Sequence, residues 1–235
     1  MATTIEIGSG AAAMPALYAQ PASGRGPGVV VIQEWWGLVP HIASIVDRLA
    51  AAGFVALAPD LYRGATTTEP DEAGKLMMGL RVSQAASDIA TAADHLVRTG
   101  ALPDDRVGCM GFCMGGGLAL LAPTVSPHVA CAAAFYPAMP WPDYHPAWEN
   151  YRGREALIHQ CESDIPSTGP DIARYAAEIA AHGGTAVIVD YPGTQHAFFN
   201  DDRPEVYAPS AAAEAWDSSL ALFHRVLDGP FGHAG

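Results

Sequence analysis

The chain has 235 residues, 50% of them hydrophobic and 16% charged, enough apolar material for a sizeable core and too much for default disorder. Twelve basic residues against 25 acidic ones give a net charge of -13, which argues against nucleic acid or an anionic membrane as partner. No apolar stretch approaches the roughly 18 residues needed to span a bilayer. Met1 to Glu6 lacks the basic region and apolar core of a signal peptide, so a cytoplasmic location is expected.

Strand-like and helix-like segments alternate, the signature of a mostly parallel sheet covered on both faces. Thr4 to Ile7 and Pro15 to Ala19 read as a leading antiparallel pair. Gly28 to Gln33 is a continuous apolar run of the buried-strand type. A helix from His41 to Ala52 sets Ile42, Ile45, Val46 and Leu49 on one face, and Gly53 ends it before a strand over Val55 to Ala58. Arg63 to Gly79 is looser, a partly helical surface excursion. A helix from Gln84 to Arg98 follows, and Asp104-Asp105 turns the chain into a short buried strand over Arg106 to Met110.

Further strands are expected over Val129 to Tyr136, Ala156 to Cys161 and Thr185 to Asp190. Pro137 to Pro142 holds too many prolines for a helix or central strand and is expected to loop over the active-site edge. Helices are expected from Pro170 to Ala181, stopped by Gly183-Gly184, and from Ser210 to Leu227. There is no internal repeat or linker, so residues 1–235 are expected to form one domain.

The most informative feature is Gly111-Phe112-Cys113-Met114-Gly115, a G-x-C-x-G between a strand and a glycine-led helix. That is the pattern of a nucleophile elbow carrying sulfur in place of the commoner hydroxyl. Glycines at the flanks let strand and helix approach, and the central side chain is held at the carboxyl edge of the sheet. Cys109, Cys131 and Cys161 show no C-x-x-C spacing and read as reduced thiols, Cys109 as a buried one in the turn.

A thiol nucleophile needs a base and a group to orient that base. In an elbow-type sheet these follow later strands in the order nucleophile, acid, histidine. His196 lies on the loop after the final strand and is the candidate base. Among the others, His95 and His182 are helical, His159 falls inside a strand as a core residue, and His233 is in the tail. Asp164 follows the preceding strand and is the candidate acid, with Glu162 and Asp190 as competitors. The backbone N–H groups of Met114 and Trp35 are candidates for stabilising an oxyanion. Glu34 directly follows a buried strand, where a carboxylate needs a partner, either as part of the site or as a brace for a neighbouring loop.

Five segments together resemble the dienelactone hydrolases (carboxymethylenebutenolidases). They are Gln33-Glu34-Trp35-Trp36-Gly37, Ala58-Pro59-Asp60-Leu61-Tyr62, Gly111 to Gly116, Glu162-Ser163-Asp164 and Gly193 to Phe198. The resemblance covers nearly the whole chain. It implies an α/β-hydrolase fold, a Cys113-His196-Asp164 triad, and a Glu34 that contacts the resting thiol and accepts its proton when substrate binds. The helix amino terminus favours thiolate while a nearby carboxylate opposes it.

The family binds a substrate carboxylate through arginines, and this chain departs from that pattern. Asn200 stands four residues after His196, and Glu69 to Glu72 holds no arginine. Arg63, Arg81 and Arg203 are near enough in sequence to substitute. Trp36, Tyr62, Arg81, Trp141, Phe198 and Asn200 are the expected pocket residues, with the tryptophans as an aromatic rim. The expected activity is hydrolysis of a small-molecule lactone or activated ester through a thioester, with no cofactor and no metal. Alternatives are a thioester or neutral-ester substrate on the same site, or a noncatalytic small-molecule binder with this fold.

Overall fold

A computed structural model describes residues 1–99, 102 and 104–228. Eight strands form one sheet in the order β1-β2-β4-β3-β5-β6-β7-β8. They are β1 (Thr3–Ile7), β2 (Met14–Ala19), β3 (Gly28–Ile32), β4 (Val55–Pro59), β5 (Val107–Phe112), β6 (Val129–Phe135), β7 (Glu155–Cys161) and β8 (Thr185–Tyr191). The expected leading pair is antiparallel, β2 runs antiparallel to β4, and all remaining neighbours are parallel.

Among the described residues six α-helices cover the sheet: α1 (Pro40–Ala51), α2 (Pro70–Gly79), α3 (Val82–Arg98), α4 (Met114–Val125), α5 (Ile165–Ala181) and α6 (Pro209–Leu227). The right-handed rule for parallel crossovers assigns their sides. The step from β3 to β4 runs opposite to those from β4 to β5, β5 to β6 and β7 to β8, which separates α1 from α3, α4 and α5. The last helix joins α1: Phe223 meets Phe54 edge-on, and Arg48 lies over the ring of Trp216 at 4.3 Å. The four central strands β3, β4, β5 and β6 are buried almost throughout, as expected of strands covered on both faces. Outer strand β8 is mostly exposed.

The helix expected from Pro170 begins at Ile165 instead, with Pro166 in its first turn and Pro170 inside it. The hydroxyls of Ser167 and Thr168 both donate to the Asp164 carbonyl, closing the first turn with side chains. The excursion after β4 contains α2, and an ion pair between half-exposed Arg63 and a buried aspartate fixes its start. Asp88 of α3 is 3% exposed and accepts from Arg63 at 2.9 Å. Asp60 accepts from the backbone of Tyr62 and Gly64. None of the helices is long and apolar enough to cross a membrane among the described residues.

Candidate active site

The elbow is set by clearances that only glycine satisfies. A Cβ on Gly111 would lie 2.0 Å from the Gly115 carbonyl oxygen, and one on Gly115 would lie 2.4 Å from the Gln33 oxygen and 2.5 Å from that of Ile32. The chain therefore passes from β5 into α4 within one residue, Cys113, whose φ is 55° and ψ is -120°. The exit of β6 holds this conformation. The Cys113 N–H donates to the Phe135 carbonyl at 3.0 Å, and the Ala138 N–H donates to the Cys113 carbonyl at 3.0 Å. Met114 opens α4, where its N–H has no intrahelical acceptor, and the helix dipole favours negative charge on the adjoining sulfur.

His196 and Asp164 meet where the ends of β7 and β8 converge. Nδ1 of His196 lies 2.5 Å from Oδ2 of Asp164. Ser163 ties the two loops: its hydroxyl accepts from the His196 N–H at 3.0 Å and donates to Asp164 Oδ1 at 3.3 Å. Burial alone would lower the pKa of His196, but the hydrogen bond to Asp164 and the thiols of Cys113 and Cys161 outweigh it and push it up to about 12. Burial works to raise Asp164. The His196 hydrogen bond wins, helped by Cys161 and Ser163, and holds the carboxyl below its ordinary 3.8. Donor atoms of Cys161, Asp164 and His196 lie within 4.8 Å of one another, a set of types that could ligate a cation.

The competitors for these roles are occupied elsewhere. Glu162 accepts from the Gly193 N–H and braces the loop that carries His196. Asp190 lines a different cavity, with Gln160 and Ile165. His159 is a satisfied core residue, sharing hydrogen bonds with Tyr191 at 3.0 Å and Ser219 at 2.9 Å, and burial pushes its pKa down to about 3. His233 lies outside the described residues.

Glu34, Trp35, Trp36, Cys113, His196 and Arg203 face one cavity of about 200 Å³, with Met77, Ala138 and Ala197 completing its wall. Glu34 is 1% exposed. Its Oε1 accepts from the Tyr136 hydroxyl at 3.4 Å and its Oε2 from the Asn200 amide at 3.1 Å. Tyr136 and Asn200 are thus the partners that the sequence required without naming. Tyr136 also stacks obliquely on His196, with ring centroids 5.0 Å apart. Three of the four non-glycine residues with positive φ among the described residues, Cys113, Tyr136 and Ala197, cluster here, as strained backbone at working sites often does.

The other expected pocket residues divide. Trp36 lines the cavity and Asn200 bonds its Glu34. Tyr62 reaches the site from behind: its hydroxyl donates to Met114 Sδ at 3.2 Å, and burial followed by the Cys113 thiol raises its pKa. Phe198 is fully buried between Tyr136 and Tyr191 and is a packing residue. Trp141 packs against the core outside the cavity wall. Arg81 corrects the sequence expectation. It lines a separate cavity with Arg63 and Asp88, because the break between α2 and α3 turns it away. Arg63 pairs with Asp88 away from this cavity, whereas Arg203, whose Nε donates to Glu205 at 2.9 Å, lines the nucleophile's cavity.

A mostly parallel sheet wrapped by helices, with an elbow after β5 and a histidine after β8, is the α/β-hydrolase fold. Within that class the chain belongs to the dienelactone hydrolase family, whose model matches residues 14–227. It is 34% identical over 208 residues to "Protein usf" of Aquifex pyrophilus, covering 86% of this chain and 89% of that one. It is 32% identical, with the same coverage, to an Aquifex aeolicus protein named "Putative carboxymethylenebutenolidase". A crystal structure named "Putative Dienelactone Hydrolase", from Klebsiella pneumoniae, superposes with a TM-score of 0.83 at 28% identity, covering 96% of this chain and 98% of that one.

Proposed function

We propose that the chain hydrolyses a small-molecule lactone or activated ester by thiol catalysis at Cys113. The carrying observation is Cys113 in an elbow that only glycine neighbours allow, sharing a cavity with a His196 already paired to Asp164. The Cys113 sulfur adds to the substrate carbonyl carbon with the proton held on His196, while the Met114 and Trp35 N–H groups receive the developing oxyanion. Collapse of the tetrahedral adduct breaks the carbon–oxygen bond to the leaving alkoxide or enolate, which takes the proton from His196 and leaves a thioester. Water then gives a proton to His196 and attacks the thioester, and the sulfur departs as thiolate. Asp164 holds the imidazole in orientation and stabilises its charged form through both halves. Glu34, fixed by Tyr136 and Asn200, forms part of the wall of the cavity that holds the thiol.

Thiolate is a better leaving group than an amide nitrogen, so an amide adduct would revert to substrate; esters and lactones fit instead. Arg203 in the cavity wall supports a substrate that carries a carboxylate despite the absent family arginines, that carboxylate competing with Glu205 for the guanidinium. The test compares kcat/KM for a carboxylated dienelactone and an uncharged ester of matched leaving group, with wild type, Cys113→Ala and Arg203→Ala. Cys113-dependent turnover of the dienelactone that drops selectively in Arg203→Ala is expected. Preference for the neutral ester, untouched by Arg203→Ala, would move the enzyme to a neutral-ester or thioester class. No Cys113-dependent turnover of either would favour the noncatalytic binder.

A further inference from the structure

A cavity of about 480 Å³ lies where the turn after β4, the end of α2 and the start of α3 meet. Arg63, Lys75 and Arg81, one from each of these segments, line it. They are three of the chain's twelve basic residues, gathered at one place in a protein of net charge -13. None of the three lines the nucleophile's cavity, so the hydrolytic site does not account for their convergence.

The three cations are accessible and partly unspent. The exposed Arg81 side chain makes no hydrogen bond or ion pair among the described residues. Lys75 pairs with Glu72 at 2.7 Å, but the two side chains are 72% and 58% exposed, and a surface pair of that kind contributes little. Arg63 donates to Asp88 and to the Asp60 carbonyl, each at 2.9 Å, and keeps further N–H donors on a side chain that is 36% exposed. Asp88 is the one acid among the described residues of the wall, and Arg63 and Gln84 already donate to it. Asp60, which accepts from the Tyr62 and Gly64 N–H groups, and Glu72 stand outside the wall. Two helix ends meet here, α2 closing without a basic residue in its last turn and α3 opening without an acidic one in its first. Their dipoles oppose each other, so the side chains decide the sign. Setting Arg63 against Asp88 leaves two positive charges, Lys75 and Arg81, in a cavity also walled by Leu61, Leu76 and Leu80.

We propose that this cavity is a second ligand site, separate from the hydrolytic one, and that it binds a small organic phosphate monoester. The doubly charged head takes donors from Arg81, Lys75 and the remaining N–H groups of Arg63, and the apolar body lies against the leucines. Three oxygens on one phosphorus serve three cations at once, and a guanidinium fork matches two of them. The site uses no part of the hydrolytic machinery and stands or falls independently of the hydrolase reading.

The test is calorimetry at low salt and about pH 8, where a phosphate monoester carries close to two negative charges. Phenyl phosphate is compared with benzenesulfonate, which keeps the ring with a single charge, and with inorganic phosphate, which keeps the charge without a ring. Wild type is expected to bind phenyl phosphate by about tenfold or more tighter than benzenesulfonate, and tighter than inorganic phosphate. The double variant Lys75→Gln/Arg81→Gln is expected to weaken phenyl phosphate by about a hundredfold, two charge-assisted contacts being lost. Both side chains are exposed, so this variant should melt with wild type. Arg25→Gln removes an exposed charge outside the cavity and should bind as wild type does. Alkylation of Cys113 should also leave binding unchanged. No saturable binding, equal affinity for the three probes, or an unaltered affinity in the double variant overturns the site. Binding abolished by Cys113 alkylation or by Arg203→Ala would put the anion in the nucleophile's cavity and overturns it as well.

Discussion

The Asn200 side chain donates to Oε2 of Glu34 at 3.1 Å across 166 residues of sequence, at the position where the resemblance to the family implies an arginine. An amide fills the acceptor on Glu34 without bringing a positive charge to it. Removing a donor from a buried carboxylate leaves the acceptor unpaired, at a cost of about 1–3 kcal/mol. Asn200→Ala is therefore expected to lose that much stability in urea denaturation. In Glu34→Gln the charge is gone, and adding Asn200→Ala should cost less; additive losses would mean that the two residues do not cooperate.

Thiol chemistry should be confined to the elbow. Cys109 and Cys131 are wholly buried, and burial raises both thiols far above their ordinary range, Cys109 further by Cys131 and Cys131 further by Glu155. An activated acyl probe followed by peptide mass spectrometry is expected to modify Cys113 and leave those two untouched. Cys113→Ser should retain under about 1% of kcat, since a serine hydroxyl is a far weaker nucleophile at its free pKa than a thiol. Equal labelling of all four cysteines would overturn the assignment.

The local part of this design was open to reading in the sequence. Apolar runs and glycine stops give the strands and helices, and the elbow, Asp164 and His196 all sit at strand ends where the topology brings them together. Side-chain pairings between distant loops were not open in the same way. Nothing local to Asn200 announces Glu34, and nothing near Arg63 announces Asp88. Arg81 read as a pocket residue because it is close in sequence to the family's arginine segment, yet the turn between α2 and α3 carries it to another cavity. The longer α5 escaped because two prolines argue against a helix locally, whereas Pro166 falls in the first turn, where a missing N–H costs nothing.

The pair of His196 and Asp164 predicts how stability varies with pH. Asp164 is depressed below 3.8, so its share is present above that value and is lost as pH falls through the folded pKa. His196 is raised above 6.5, so its share is full below 6.5 and is lost as pH rises toward the folded value of about 12. The two shares coincide between pH 3.8 and pH 6.5. Asp164→Asn should thus lower Tm most near pH 5 and progressively less toward pH 9. Its kcat at neutral pH is expected to fall by about a thousandfold or more, because the imidazole loses the group that orients it. A Tm difference that does not change with pH would show that the pair adds no net stability.

The elbow itself gives the sharpest structural prediction. At Gly115 a single methyl would press on two backbone carbonyls, those of Gln33 at 2.4 Å and Ile32 at 2.5 Å, and neither can rotate away as a side chain could. Relief would require α4 to lift from the end of β3, moving the Met114 N–H away from Trp35 and opening the oxyanion site. Gly115→Ala is expected to cost about 3 kcal/mol or more, beyond the usual range for overpacking because backbone must move. Gly74→Ala, where a Cβ meets nothing within 4 Å, is the matched control on helix α2 and is expected to be neutral or slightly stabilising. Should Gly115→Ala melt with wild type and keep full activity, the close approach of β3 and α4 would not be what sets Cys113 in place.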